Sequence, residues 1–190
     1  MTQVNKPNPF GDPLPPNVHV GAGTEIHGEK IFRRFFSERE PAIVFGENTM
    51  FDGVQMALGK SATMRVGNFV YAANMIMLAE QEIVIGDHVF IGFNVVLADS
   101  DFHPLDPALR MADAIAVSPV GVLQRKPRPP IATAPVIVED DVWIGPNSAI
   151  LKGVRIGAGS FIEPGSVVTK DVPPRSRVLG NPAQVIGQVE

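Results

Sequence analysis

VEDDVWIGPNSAILKGVRIGAGSFIEPGSVV, residues 138–168, carries an aliphatic residue at every sixth position: Val138, Ile144, Ile150, Ile156, Ile162 and Val168. Four residues after each stands a small or β-branched side chain: Val142, Ser148, Val154, Ser160, Ser166 and Val172. Gly follows the aliphatic position directly at Gly145 and Gly157. A helix turns once in about 3.6 residues, so its apolar face would drift off this repeat within a few turns. Six is a multiple of two, the strand period. A short period sustained through a stretch rich in β-branched residues predicts a solenoid. Each hexad supplies one short strand and its corner, and the hydrophobic position stacks on its neighbours along the axis.

The spacing extends outward from this stretch. Upstream it is clear at Ile85, Ile91 and Leu97, with Gly86 and Gly92 following and Val89 and Val95 in the small slot. It starts at Val20, Ile26 and Phe32, with Thr24 in the small position, and breaks between Arg33 and Pro41 at the charged SERE segment. It resumes at Phe45 and Phe51, then loses its phase across Gly59–Met64. One domain over residues 1–190 is expected, interrupted rather than divided, with a Pro- and Asn-rich irregular arm at 1–17.

Between Leu97 and Val138 the repeat vanishes. Repeat proteins place insertions on a binding face, so residues 99–135 read as a long active-site loop. Asp106, Pro107 and the following ALRMADAIA predict a short helix with an Asp N-cap and Pro at its first position. QRKPRPP, Gln124–Pro130, is a basic tract. Residues 173–190 are expected to cap the last coil, because an open solenoid end exposes unpaired strand edges.

Composition narrows the function classes. The chain of 190 residues is long enough for one domain, and its 18 Gly and 18 Pro suit a fold rich in corners. No apolar run reaches the roughly 18 residues of a membrane span. The opening MTQVNKPNPFGDPLPP lacks a cationic patch followed by an apolar segment, so no signal peptide is expected and a cytoplasmic location follows. There is no Cys, which removes thiol catalysis, disulfides and thiolate metal sites. A net charge of −4 argues against nonspecific nucleic-acid binding.

The run from Pro135 to Ile186, PVIVEDDVWIGPNSAILKGVRIGAGSFIEPGSVVTKDVPPRSRVLGNPAQVI, resembles the hexapeptide-repeat acyltransferases. It is similar in particular to the sugar O-acetyltransferases of the maltose, galactoside and lipopolysaccharide-modifying type. The resemblance implies an all-β solenoid, a left-handed parallel β-helix with three hexads to each triangular coil. It also implies an acetyl-coenzyme A co-substrate, a small sugar-like acceptor, no metal, and a homotrimer with the cleft between adjacent coils. One departure is Gln184, where the family's closing G-x-P-A is usually followed by Lys or Arg. A phosphate contact at that position is in doubt, and Arg125, Lys126 or Arg128 from the long loop are the substitutes.

Acyl transfer to a hydroxyl needs a base that takes the proton as the thioester is attacked. His103, in DSDFHPLDP at the head of the insertion, is the candidate, and the resembled family carries an essential His in a similar HP segment. Such a base typically contributes about 10²–10⁴-fold in rate. Asp99 and Asp101 are close in sequence. Either could accept the second imidazole N–H and fix the tautomer, and Asp101 joins His103 in the expected catalytic set. Asn74, in NFVYAANMIML, matches an Asn-bearing family segment and could polarise a developing oxyanion. Asn also suits a bare corner. For the coenzyme, the resemblance points to Trp143 and Gly145, to Pro164 and Gly165, and to Thr169 and Lys170 in VVTKD, with Arg175 and Arg177 extending a basic rim.

Three other readings compete. An amine acceptor would make the protein an N-acetyltransferase. Carbonic anhydrases of this solenoid shape bind metal through three His, yet His19, His27, His88 and His103 include no close pair beside His103. A noncatalytic scaffold would leave the His-bearing insertion without purpose.

Overall fold

The computed structural model describes residues 14–29, 31–32 and 34–190, so most of the expected arm lies outside the described residues. Strands are short because each hexad spends half its length on a corner. The chain visits three sheets in rotation. The first holds β1 (Val18–Val20), β4 (Ile43–Phe45), β7 (Thr63–Val66), β10 (Glu82–Ile85), β13 (Val136–Val138) and β16 (Arg155–Ile156). The second holds β2 (Glu25–His27), β5 (Met50–Asp52), β8 (Tyr71–Ala73), β11 (Phe90–Ile91), β14 (Trp143–Ile144), β17 (Phe161–Ile162), β19 (Ser176–Gly180) and β20 (Ala183–Gln188). The third holds β3 (Arg34–Phe35), β6 (Gln55–Leu58), β9 (Ile76–Ala79), β12 (Val96–Ala98), β15 (Ala149–Ile150) and β18 (Val167–Val168). Every pairing is parallel except that of β19 with β20, an antiparallel hairpin at the C-terminal end.

Register explains the six-residue period. Val138 pairs with Ile156, Ile144 with Ile162 and Ile150 with Val168, each three hexads on. Equivalent side chains therefore stack directly, and they are fully buried in one hydrophobic cluster running from Val18 to Val178. Each such aliphatic contributes about 1.5–3 kcal/mol by leaving water. The small slot is buried too. Its serines donate hydrogen bonds to carbonyls, Ser160 Oγ–H to Pro173 O at 3.0 Å and Ser166 Oγ–H to Glu163 O at 2.7 Å. No buried side-chain polar atom among the described residues lacks a partner.

Two parts of the expected phase are corrected. Phe32 is not an inward strand position: Ile31 is the buried side chain, and Phe32 packs edge-on against Phe35 with ring centroids 5.8 Å apart. Across Gly59–Met64 the coil continues as β6 and β7. The phase is lost in the sequence because Phe45 pairs with Val66 and Val66 with Ile85, offsets that are not multiples of six. The earlier coils carry extra residues at their corners.

The corners impose their own columns. Asn74, Asn94 and Asn147 share the left-handed conformation with Gly53 and Gly165, one above the other along one edge. Asn tolerates that region better than most residues. Gly145 answers a different demand: a Cβ there would sit 2.7 Å from Pro164 N and 2.8 Å from Ile162 O on the next coil. Gly145→Ala should therefore cost roughly 1–3 kcal/mol, whereas Gly187→Ala, with nothing within 4 Å of the added carbon, should be near neutral. Thermal melts of the two variants check this, and equal melting temperatures would show that the coils can separate to admit a methyl group.

Candidate active site

The insertion leaves the third sheet after β12 and returns before β13. Its two ends are fastened together: Ser100 bridges Thr133, Asp101 N–H donates to Ala132 O at 3.1 Å, and Ala134 N–H donates to Asp99 O at 2.9 Å. The predicted helix forms as α1 (Pro107–Val117), with Asp106 accepting from Leu109 N–H at 2.9 Å. A second, shorter helix that the sequence reading lacked, α2 (Pro119–Leu123), follows with Ser118 as its N-cap.

The site assembles from three parts of this excursion. His103 stands at its head with a side chain 56% exposed. The residue before it, Phe102, is held at φ 62°, a sparsely populated conformation for an aromatic residue. Asp113 lies in the middle of α1 with its side chain fully buried, and its Oδ2 is 2.6 Å from His103 Nδ1. Arg128, on the returning segment, clamps the same carboxylate. Its Nε donates to Oδ1 at 2.7 Å and its Nη2 to Oδ2 at 3.1 Å, and Nη2 also donates to Phe102 O at 3.1 Å. The Arg128 bonds, opposed by burial and aided by His103, hold the Asp113 carboxyl down at about 2. An ionised carboxylate only accepts, so Nδ1 carries the proton and Nε2 presents its lone pair. That is the form a general base requires.

Asp113, rather than Asp99 or Asp101, is thus the partner of the imidazole. Asp99 is buried and accepts three backbone N–H bonds, from Glu80, Gln81 and Glu82, each at 2.7 Å. Burial nevertheless pushes its carboxyl upward. Its geometry is that of a corner clamp. Asp101 directs its carboxylate to Lys152 Nζ at 3.3 Å and touches His103 only through its carbonyl, which accepts His103 N–H at 2.6 Å. Sequence proximity drew attention to both. The available signal for Asp113 was an acidic residue placed among alanines in the middle of a short helix.

The remaining expected residues fall into two groups. Thr169 and Lys170 follow β18 and are exposed. By the register of β12, β15 and β18 they lie on the edge from which the insertion departs. Gly145, Pro164 and Gly165 lie on the neighbouring edge, where Gly165 N–H donates to Pro146 O at 2.9 Å. Trp143, 54% exposed, faces outward from β14 and stacks on Phe161 at 4.4 Å. Asn74 occupies the corner column described above, its N–H bonded to Asp52 O at 2.7 Å. In the closing hairpin, Arg175 Nη2 donates to Val189 O at 3.2 Å, while Arg177 pairs with Glu163 and Gln184 is exposed. Among the described residues no group of three or more His, Asp or Glu is placed to hold a metal. No helix among them is long and apolar enough to cross a membrane.

Residues 135–170 match the family described as bacterial transferase hexapeptide (six repeats). The galactoside O-acetyltransferase of Lactococcus lactis subsp. lactis (strain IL1403) is 31% identical over 157 residues, 82% of this chain and 65% of the relative. The 2,3,4,5-tetrahydropyridine-2,6-dicarboxylate N-acetyltransferase of Staphylococcus aureus (strain JH9) is 52% identical over 59 residues, 31% of this chain and 25% of the relative. Among solved structures, a hexapeptide-repeat acetyltransferase of Vibrio cholerae O1 biovar eltor, complexed with acetyl coenzyme A, superimposes with a TM-score of 0.57 at 29% identity. The match covers 90% of this chain and 71% of that one. The chain thus carries the hexapeptide repeat of bacterial transferases at residues 135–170 and is similar over most of its length to acetyltransferases. It spans 65% and 25% of the lengths of the two curated relatives.

The depressed Asp113 carboxyl fixes a pH dependence. A folded-state value below the unfolded one adds stability that is present above the unfolded value near 3.8 and is lost as pH falls toward about 2. Between pH 4 and pH 2 the wild type should lose roughly 2 kcal/mol through this group, a loss missing from Asp113→Asn. Denaturant titrations at both pH values measure it, and equal losses in the two proteins would contradict the assignment.

Proposed function

We propose that the protein transfers an acetyl group from acetyl-coenzyme A to a hydroxyl of a sugar or sugar-containing acceptor, with His103 as general base. The observation that carries this reading is an exposed imidazole whose Nδ1 is fixed on a buried, ionised carboxylate. The insertion that carries it departs from the edge bearing Thr169 and Lys170. The Vibrio cholerae neighbour binds acetyl coenzyme A and the Lactococcus lactis relative is a galactoside O-acetyltransferase, which supports the donor and the acceptor class.

The reaction is direct. Nε2 takes the acceptor O–H proton and the oxygen attacks the thioester carbonyl carbon. The tetrahedral oxyanion is met by backbone N–H groups of the coil edge and by the Asn74 amide. The C–S bond then breaks, and the imidazolium returns its proton to the coenzyme thiolate. Thr169, Pro164, Gly165, Gly145 and Trp143 line the pantetheine path and Lys170 meets a phosphate. An amine acceptor is the second reading, favoured by the Staphylococcus aureus relative's N-acetyltransferase activity.

The coil is left-handed, the chain forms one domain, and the functional unit is a trimer working in the cytoplasm. Two features support the trimer. The coenzyme candidates divide between two edges of one coil, so a single cleft containing both needs an edge from each of two chains. The insertion also turns its apolar side chains outward, with Met111 64% and Leu123 85% exposed, beyond what a monomer ordinarily shows.

Three measurements test the reading. Acetyl-coenzyme A should bind wild type and His103→Ala alike by calorimetry, while Lys170→Ala binds roughly tenfold more weakly. Thiol release with methyl galactoside, maltose and amino-sugar acceptors should fall about 10²–10⁴-fold in His103→Ala. No binding by folded wild type would sink the transferase reading, and a preference for amines would move it to N-acetylation. Light scattering should give a trimer that Leu123→Glu dissociates with loss of transfer. A monomeric, active wild type would remove the shared cleft.

A further inference from the structure

The proposed base needs one of two tautomers, and the structure holds a group whose effect is to choose between them. We propose that Arg128 is a positioning residue that keeps His103 in its Nδ1–H form, leaving Nε2 free to accept the acceptor's proton. This rests on the reading of His103 as the base, but its geometry can be tested apart from it.

The reasoning starts from burial. Asp113 is fully shielded from solvent in the middle of α1, and a carboxylate in that position tends strongly toward its neutral acid. Arg128 opposes this with two N–H bonds, one to each carboxylate oxygen. Among the influences on Asp113 it is the largest, ahead of burial and of His103. Without Arg128, burial would favour the neutral acid. A neutral acid has an O–H to donate, and the atom facing it is His103 Nδ1 at 2.6 Å. Nδ1 would then accept, the ring proton would reside on Nε2, and the atom needed as base would already be protonated. The two states differ by one proton: once the adjacent guanidinium charge is lost, the pair takes one up from solvent, so that the carboxyl and Nε2 are both protonated where Nδ1 alone was before. The third bond of Arg128, to Phe102 O at 3.1 Å, holds the backbone that sets the ring's position.

Other charged groups around the pair are committed elsewhere. Asp101 is paired with Lys152, Asp99 is bound by three backbone N–H groups, and Asp106 caps α1. Arg110 donates to Pro104 O and Leu105 O. Glu80 shares a small cleft with Arg128, Pro129, Ile131 and Thr133 and feels the Arg128 charge. Its charge in turn favours the protonated guanidinium. No other cation is bonded to Asp113 among the described residues.

Imidazole ¹⁵N spectra at mildly alkaline pH report the tautomer without any acceptor. His103→Ala identifies the His103 signals among the four histidines. Wild type should show mainly the Nδ1–H form. Arg128→Met should shift His103 toward Nε2–H, with His19, His27 and His88 unchanged, and Arg128→Lys, which keeps the charge, should recover most of the wild-type pattern. If the Met variant does not fold, Arg128→Gln serves the same purpose. In acetyl transfer to the acceptor found by thiol release, kcat should fall about 10²-fold or more while KM for acetyl-coenzyme A stays put. A folded Arg128→Met or Arg128→Gln protein that keeps the Nδ1–H form overturns the proposal. Full activity in His103→Ala would instead sink the base reading and leave the tautomer result standing.

Discussion

Every coil in this protein lies directly on the next, and that contact constrains everything else. Parallel ladders hold equivalent residues at the spacing of neighbouring strands, so the inward side chain of one coil touches its own counterpart above and below. Hydrophobic side chains at these positions are buried in one continuous column. The same stacking governs corners, where Gly145 leaves just enough room for Pro164 of the following coil. It also sets the terms on which the regular path can be interrupted. An insertion must leave and return at one corner without moving the strands beside it. Residues 99–135 do this: Leu97 still pairs with Ile150 across the excursion, and the bonds joining Asp99, Ser100 and Asp101 to Ala132, Thr133 and Ala134 close its neck.

Once outside the coil, the insertion is organised by the opposite chemistry. Its helix α1 buries Asp113 and Ala116 while Leu109, Met111 and Ile115 remain exposed. A buried carboxylate without partners costs several kcal/mol, so the segment is stable only in an arrangement that delivers compensation. His103 from the head and Arg128 from the tail converge on that one group, and both ends of the insertion are thereby fixed relative to its middle. A site built this way needs no large hydrophobic core beneath it. Removing Asp113 would leave both His103 and Arg128 without the carboxylate on which they converge.

The fold was largely legible because it is periodic. A six-residue repeat in β-branched residues admits few structures, and the break after Leu97 located the insertion. Where corners carry extra residues, as between Phe45, Val66 and Ile85, the period no longer reports the register, and Phe32 and Gly59–Met64 were misread or left open. The site was legible only in its imidazole. His103 stood out by position and chemistry, but its partner was sought among neighbours in sequence. Asp113 and Arg128 reach it because α1 folds back over the head of the insertion, a tertiary event that local spacing does not encode. Arg128 did appear in the sequence reading, as a possible phosphate ligand. The structure shows two of its donors already engaged by Asp113, which makes it a poor point of attachment for an external anion.

The same division bears on how such a protein comes to recognise two substrates. The edge carrying Thr169 and Lys170 and the edge carrying Gly145, Pro164 and Gly165 belong to the repeat, so their shape follows from coil geometry alone. The imidazole and the surface around it belong to the insertion, whose path depends on particular side chains. A donor common to a family can be met by the periodic part, because the periodic part is the same wherever the repeat is the same. An acceptor peculiar to one protein has to be read by the aperiodic part. The outward-facing Leu105, Met111 and Leu123 lie in that part, so under the proposed transfer whatever covers them would also shape the acceptor side.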